Sequence, residues 1–156
     1  RGEPRWVDLG KLLGDLCEAH PRLTWRPLSD CCHPVDPLAL RRIVGNLLEN
    51  ALRYSQGEVE VRLACAQPPE IQVLDRGPGI PEQEREAVFR PFYRALGTEV
   101  DGSGLGLSIV HGVVLQHGAQ ITISDALPRP APGQGPGALF TIRFPLQPRS
   151  APAPER

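Results

Sequence analysis

Apolar residues first fall at helical spacing between Asp8 and Ala19, where Leu9, Leu12, Leu13 and Leu16 share one stripe. Arg22 to Leu28 alternates in the manner of a strand. A longer helix is predicted from Pro37 to Tyr54. Asp36 is its N-cap, and Pro37 sits in the first turn, where a missing N–H costs nothing. Leu40, Ile43, Val44, Leu47, Leu48 and Ala51 give that helix one apolar face. Strands follow at Glu58–Ala66 and Glu70–Leu74, separated by a Q-P-P turn. Helical periodicity returns from Gly104 to His117 through Leu107, Val110, Val114 and Leu115, and Gly118 is a natural stop. Ala119–Ser124 and Ala138–Pro145 read as paired strands. The proline-rich stretch Pro128–Gly137 between them reads as a mobile loop. The pattern predicts an α/β (α+β) two-layer sandwich, with helices on one face of a largely antiparallel sheet. It forms one domain over residues 1–146, followed by a disordered, proline-rich tail at 147–156.

Charge and composition narrow the possibilities. A net charge of −1 over 156 residues gives no electrostatic case for nucleic acid or an anionic membrane. No apolar run approaches a bilayer span, and no signal-peptide pattern opens the chain. Cys17, Cys31, Cys32 and Cys65 match no zinc spacing and are expected as free thiols in a reducing cytosol. A start at Arg1 rather than methionine reads as a fragment of something longer.

Four short stretches carry chemistry. In the long helix, Asn46, Asn50 and Arg53 are spaced by four and three, with Tyr54 beside them. Asparagine is a poor helix former, so two of them one turn apart suggest selection for their carboxamide oxygens, hard neutral donors suited to Mg²⁺. The other reading is two surface asparagines. D-R-G-P-G-I-P (Asp75–Pro81) sets a carboxylate at a strand end before two glycines that let a flat ligand approach the backbone. Such a carboxylate suits the exocyclic amine of adenine; an ordinary turn would look similar. V-F-R-P-F-Y-R (Val88–Arg94) pins a loop and leaves cations free, or simply packs a core. D-G-S-G-L-G-L-S-I-V (Asp101–Val110) feeds a helix N-terminus, an anion site with Ser103 adding a hydroxyl. It lacks the G-K-[ST] of a phosphate-binding P-loop. Leu107 stands where the dinucleotide fingerprint needs its last glycine, and serine/threonine-kinase signatures are missing.

In this order the four stretches resemble the catalytic, ATP-binding domain of two-component sensor histidine kinases, in the superfamily shared with DNA gyrase, the Hsp90 chaperones and MutL. N-L-L-E-N-A-L-R-Y-S (Asn46–Ser55) is similar to the N box. The other three stretches are similar to the G1, F and G2 boxes, and the likeness runs from about Trp6 to Leu146. The wording is most similar to kinases that partner winged-helix, OmpR-type response regulators. The resemblance implies the Bergerat fold, a mixed five-stranded sheet with three helices on one face, holding ATP under a lid.

It further implies that Asn50 ligates Mg²⁺ with Asn46 assisting, that Arg53 touches a phosphate, and that Tyr54 flanks the adenine or ribose. Asp75 would accept from the adenine amine, with Gly77, Gly79 and Ile80 along the base. Gly102, Ser103, Gly104, Leu105, Gly106 and Leu107 would shape the phosphate end, and Phe92 and Arg94 complete the nucleotide set. Asn46, Asn50 and Arg53 would be the catalytic residues. In the ATPase relatives a glutamate stands at the position of Asn46 and activates water; asparagine takes up no proton at neutral pH, which favours transfer to histidine over hydrolysis. Glu49 is expected to point elsewhere around the helix.

Two departures stand out. Ala95–Asp101, in the lid, is acidic where relatives carry a cation, which leaves Arg53, Arg90 and Arg94 to neutralise the triphosphate. His20, His33, His111 and His117 have the wrong neighbours for a phosphoacceptor. The acceptor is therefore expected on a dimerisation domain N-terminal to Arg1. The parent would be a homodimeric inner-membrane sensor, and this cytoplasmic piece a monomer that binds no nucleic acid. A serine kinase on the same fold and a nucleotide-sensing module without catalysis are the alternatives.

Overall fold

The structure is a computed structural model, and it describes residues 3–93 and 106–145. Arg94, Gly102, Ser103, Gly104, Leu105, the lid segment 95–101, the boundary at Leu146 and the tail 147–156 all lie outside the described residues.

The elements run β1 (Arg5–Asp8), α1 (Leu9–Cys17), β2 (Leu23–Pro27), β3 (Cys32–Val35), α2 (Pro37–Tyr54), β4 (Val59–Ala64) and β5 (Glu70–Leu74). After two short 3₁₀ turns at Glu82–Glu84 and Ala87–Phe89 come α3 (Gly106–Gln116), β6 (Gln120–Asp125) and β7 (Ala138–Arg143). The starts of α1 and α2 are each capped by an aspartate. The Asp8 carboxylate accepts from Lys11 N at 3.1 Å, and that of Asp36 from Leu38 N at 3.0 Å.

Five strands form one sheet in the order β2-β4-β5-β7-β6. β2 and β4 are parallel, which requires a crossover, and α2 supplies it; every other neighbouring pair is antiparallel. The sheet is thus mixed, as the resemblance implied. Alternation decides which face is covered. Val59, Val61, Leu63, Ile71, Val73, Phe140 and Ile142 all point to one side and are buried, and α1, α2 and α3 pack on that side. The opposite side carries Glu60, Arg62, Glu70 and Arg143, which form ion pairs along the surface. Leu9, Leu13, Leu40, Val44 and Leu47 complete the core, each worth about 1.5–3 kcal/mol when fully buried.

Three features depart from the sequence reading. β1 and β3 pair antiparallel as a separate two-stranded sheet; Trp6 faces Pro34, and a proline inside so short a run hides its strand character. The loop Pro128–Gly137 is anchored at its end: Leu127 N donates to Pro136 O at 2.7 Å and Gly137 N to Gly77 O at 3.0 Å. Cys31 and Cys65 are joined as a disulfide, with Cα atoms 6.0 Å apart, so they are not the free thiols expected. Cys17 and Cys32 are free; burial pushes the Cys17 thiol up to about 11. Among the described residues, no helix is long and apolar enough to cross a membrane.

Candidate functional site

A cavity of about 380 Å³ opens between α2, the turn after β5 and the N-terminus of α3. This is the size of an ordinary small-molecule site. One wall is α2. Asn46, Glu49, Asn50, Arg53 and Tyr54 all line it, as residues spaced three and four apart must when the intervening Leu47, Leu48 and Ala51 are buried on the sheet. Asp75, Gly79 and Ile80 form the next wall, and Gly106 and Leu107 bring in α3. These residues, proposed from dispersed stretches of sequence, meet around one space.

The far end of α2 is held by a single side chain. Arg22 Nε donates to Gly57 O at 2.9 Å, Nη1 to Leu52 O at 3.0 Å, and Nη2 to Ser55 O at 2.8 Å. The guanidinium satisfies carbonyls that a helix C-terminus leaves open and opposes the negative end of its dipole. It thereby holds the turn that carries Arg53 and Tyr54. Gly77 sits behind this turn. A Cβ there would lie 2.6 Å from Tyr54 O, so the glycine is required for the β5 turn to close on α2. Gly77 does not line the cavity; its N–H orients Asp75 instead.

Asp75 is 6 % exposed, and its Oδ1 accepts from Gly77 N at 2.9 Å and Ala138 N at 3.1 Å. Both bonds fall on one oxygen, and neither donor uses Oδ2. Burial raises the carboxyl above its ordinary value, and the two N–H groups pull the other way. The loop before β7 braces the arrangement. A Cβ on Gly137 would lie 2.2 Å from Asp75 O, and one on Gly79 2.8 Å from the Pro136 ring.

At the other end, Asn46 Nδ2 donates to Arg42 O at 2.9 Å, and a Cβ on Gly106 would lie 3.9 Å from Asn46 Oδ1. The carboxamide oxygen therefore faces the start of α3, and the N-terminal end of a helix dipole favours an anion. The wall opposite α2 holds Glu84 and Tyr93. The Tyr93 hydroxyl donates to the Glu84 carboxylate, a bond that raises the phenol. Arg85 ties this wall down, donating to Ile80 O and to Asp125 Oδ1, each at 3.0 Å.

Two expectations change. Glu49 lines the cavity, because a residue three after Asn46 shares its face; helical spacing alone was enough to find it. Phe92 is 70 % exposed at φ 62° and is absent from the cavity lining. The reading also missed Glu84, Tyr93, Ala138 and Phe140. Ala138 and Phe140 arrive through the β5–β7 register, in which Phe140 pairs with Val73, and no local signal announces that pairing. Among the described residues, no cluster of three His, Cys, Asp or Glu could hold a metal. A cation here would meet the Asn46 and Asn50 carboxamides, the Glu49 carboxylate beside them and the ligand's own oxygens.

Comparison with known proteins gives the same picture. Residues 35–148 match the family model described as histidine kinase-, DNA gyrase B- and HSP90-like ATPase. The signal transduction histidine-protein kinase/phosphatase MprB of Mycobacterium sp. (strain KMS) is 45 % identical over 118 residues, covering 72 % of this chain and 22 % of that protein. The chain thus spans about a fifth of the length of the curated relatives it matches. A solved structure of the mycobacterial sensor histidine kinase MprB superposes with a TM-score of 0.75 at 34 % identity, over 95 % of this chain and 99 % of that one. The ATP-binding domain of PrrB from Mycobacterium tuberculosis does so with 0.71 at 25 % identity, over 94 % and 99 %. The chain belongs to the family of histidine kinase-, DNA gyrase B- and HSP90-like ATPases, as the ATP-binding catalytic domain of a sensor histidine kinase.

Proposed function

We propose that this domain, residues 1–146, holds ATP with Mg²⁺ and transfers the γ-phosphoryl group to a histidine on a dimerisation domain of its parent. The observation that carries this is the convergence of Asn46, Asn50 and Arg53 with Asp75 and the start of α3 on one cavity. Asp75 Oδ2 accepts from the adenine amine, with Gly79 and Ile80 against the base and Tyr54 beside it. The triphosphate runs along α2 toward the N-terminus of α3, where Asn46 turns its oxygen. Asn50 and Asn46 offer hard, neutral oxygens that fit Mg²⁺, which supplies charge neutralisation on the triphosphate when bound. Arg53 neutralises a phosphate from the same face.

The reaction is an in-line displacement. A histidine ring nitrogen forms the new N–P bond as the bond to the β-phosphate oxygen breaks, and ADP leaves with that electron pair. None of the chain's own four histidines lines the cavity. His33 is buried, and His111 stacks on Phe89 with ring centroids 5.1 Å apart. The acceptor therefore comes from a separate element. Asn46 itself cannot take a proton from water, so that position supplies no base for hydrolysis. The parent is a homodimeric membrane sensor with this domain in the cytoplasm, monomeric when isolated, and its phosphohistidine serves a winged-helix response regulator.

The test mixes the domain with the histidine-bearing hairpin of its own parent and γ-labelled ATP. Acid-labile, alkali-stable label on the hairpin, lost with Asn50→Ala, is the expected outcome. ATP binding with no label on histidine would make the domain a nucleotide-sensing module, and label on serine would make it a serine kinase.

A further inference from the structure

A second, smaller cavity of about 70 Å³ lies at the opposite end of the sheet, lined by Cys31, Cys32, His33, Cys65 and the Gln67–Pro69 turn. Asp75 follows the C-terminal end of β5, whereas Cys65 follows the C-terminal end of the antiparallel β4. The two cavities are therefore a strand length apart. α2 bridges them, since its 18 residues span about 27 Å from the Asp36 cap to Tyr54.

The disulfide at this cavity fastens the root of α2. Cys31 runs directly into β3, and β3 into the buried cap Asp36. Cys65 closes β4. Weaker ties cross the same junction: Cys65 N donates to Ser29 Oγ at 2.7 Å, Leu28 N to Leu63 O at 3.0 Å, and Leu9 N to Cys31 O at 3.0 Å. Both bridged cysteines are partly exposed and open onto the cavity, so a thiol from solution can reach the bond. The neighbouring free thiol is ill suited to attack it. Burial and the carboxylates of Asp8 and Asp30 raise Cys32 and keep it protonated, and the thiolate is the reactive form.

We propose that Cys31, Cys65 and this cavity form a thiol–disulfide exchange site, opened by an external dithiol, that sets how firmly the root of α2 is held. One thiolate of the dithiol attacks a bridge sulfur, and the S–S bond breaks to leave a mixed disulfide and one cysteine thiolate. The second thiol of the reagent then displaces the other cysteine. Two electrons and two protons pass to Cys31 and Cys65, and the reagent leaves as its own disulfide. With the bridge open, the hydrogen bonds across the junction keep the fold together, but β3 and the first turns of α2 open more often. Nucleotide affinity falls as a result, and this last step alone rests on the nucleotide reading above.

The test compares air-oxidised protein with the same protein under dithiothreitol. Denaturing alkylation is expected to label two of the four cysteines before reduction and all four after. Reduction is expected to lower the melting temperature by roughly 10 °C, the shift for losing a cross-link that closes a 34-residue loop in a chain of this size. Amide hydrogen exchange should accelerate from Leu38 to Gly45, and ATP affinity should fall by about fivefold or more. The variant Cys31→Ser/Cys65→Ser should behave as reduced protein in either condition, and Cys32→Ser should respond like the wild type. Four alkylated cysteines in oxidised protein, or unchanged exchange in α2 on reduction, overturns the proposal. If neither form binds ATP, the nucleotide reading fails instead, and the exchange data still decide this one.

Discussion

Replacing Asp75 with asparagine separates recognition from stability, because the two use different oxygens of one carboxylate. Asparagine keeps Oδ1, and with it the bonds from Gly77 N and Ala138 N. What it changes is Oδ2, where a charged acceptor becomes an NH₂ donor facing the donor on adenine. A hydrogen bond to a charged group contributes about 1.5–3 kcal/mol, and a buried donor left unpaired costs about 1–3 kcal/mol. Together these give about 2.5–6 kcal/mol, or on the order of 10²- to 10⁴-fold weaker ATP binding. Guanine presents a carbonyl at the same ring position, so the preference for ATP over GTP should narrow or invert.

Stability should move the other way. The folded-state pKa of Asp75 is raised, so the folded protein holds this proton more tightly than the unfolded chain does. That contribution is full below the unfolded value of 3.8 and is lost as pH rises through the folded one. At neutral pH the ionised carboxylate weakens the fold, and Asp75→Asn should leave the melting temperature unchanged or higher. The difference from wild type should shrink on acidification. Calorimetric titration with ATP and GTP, paired with melts across pH, reads both effects. ATP and GTP affinities within twofold of wild type would refute the reading of the base. A melting temperature several degrees lower would refute the division of labour between the two oxygens.

Two further outcomes follow from the scaffold. Arg22→Ala removes the group that holds the end of α2 and should cost about 2–4 kcal/mol, seen as a fall of roughly 5–10 °C in melting temperature. Arg22→Lys should recover less than half of that, since a point charge cannot reach three carbonyls at once. Gly137→Ala forces a Cβ to 2.2 Å from Asp75 O at φ 68°, and should lower both melting temperature and ATP affinity. Gly133→Ala, at φ 79° with nothing nearby, should cost only the backbone strain of about 1–2 kcal/mol and leave affinity unchanged.

Much of the architecture is legible in local pattern because local physics makes it. The Asp36 cap, the α2 stripe and the alternation of β4 and β5 each follow from spacing within one element. So does the α2 wall of the cavity, including Glu49, once residues three apart are taken to share a face. What is not legible is carried by pairing between distant segments. Nothing near Asp75 announces Ala138, which reaches it only when β7 docks on β5. Nothing in the spacing of Cys31 and Cys65 matches them, and Pro34 hides the strand character of β3. Phe92 fails for the converse reason: a local motif suggested a contact that the positive-φ turn carries outward.

The bond from Ala138 to Asp75 spans 63 residues, and this sets an order on how the protein comes into being. Asp75 leaves the ribosome well before Ala138, so its carboxylate stays unoriented until the strand holding Ala138 follows and completes the sheet. Pairings of such long range form late, after the loop between them has closed. The end of the cavity around Asp75 is therefore among the last parts to assemble. A nascent chain that stops short of Gly137 has the α2 residues but lacks the Ala138 N–H that orients Asp75. Nucleotide, binding only the finished sheet, slows its unfolding far more than it hastens its folding.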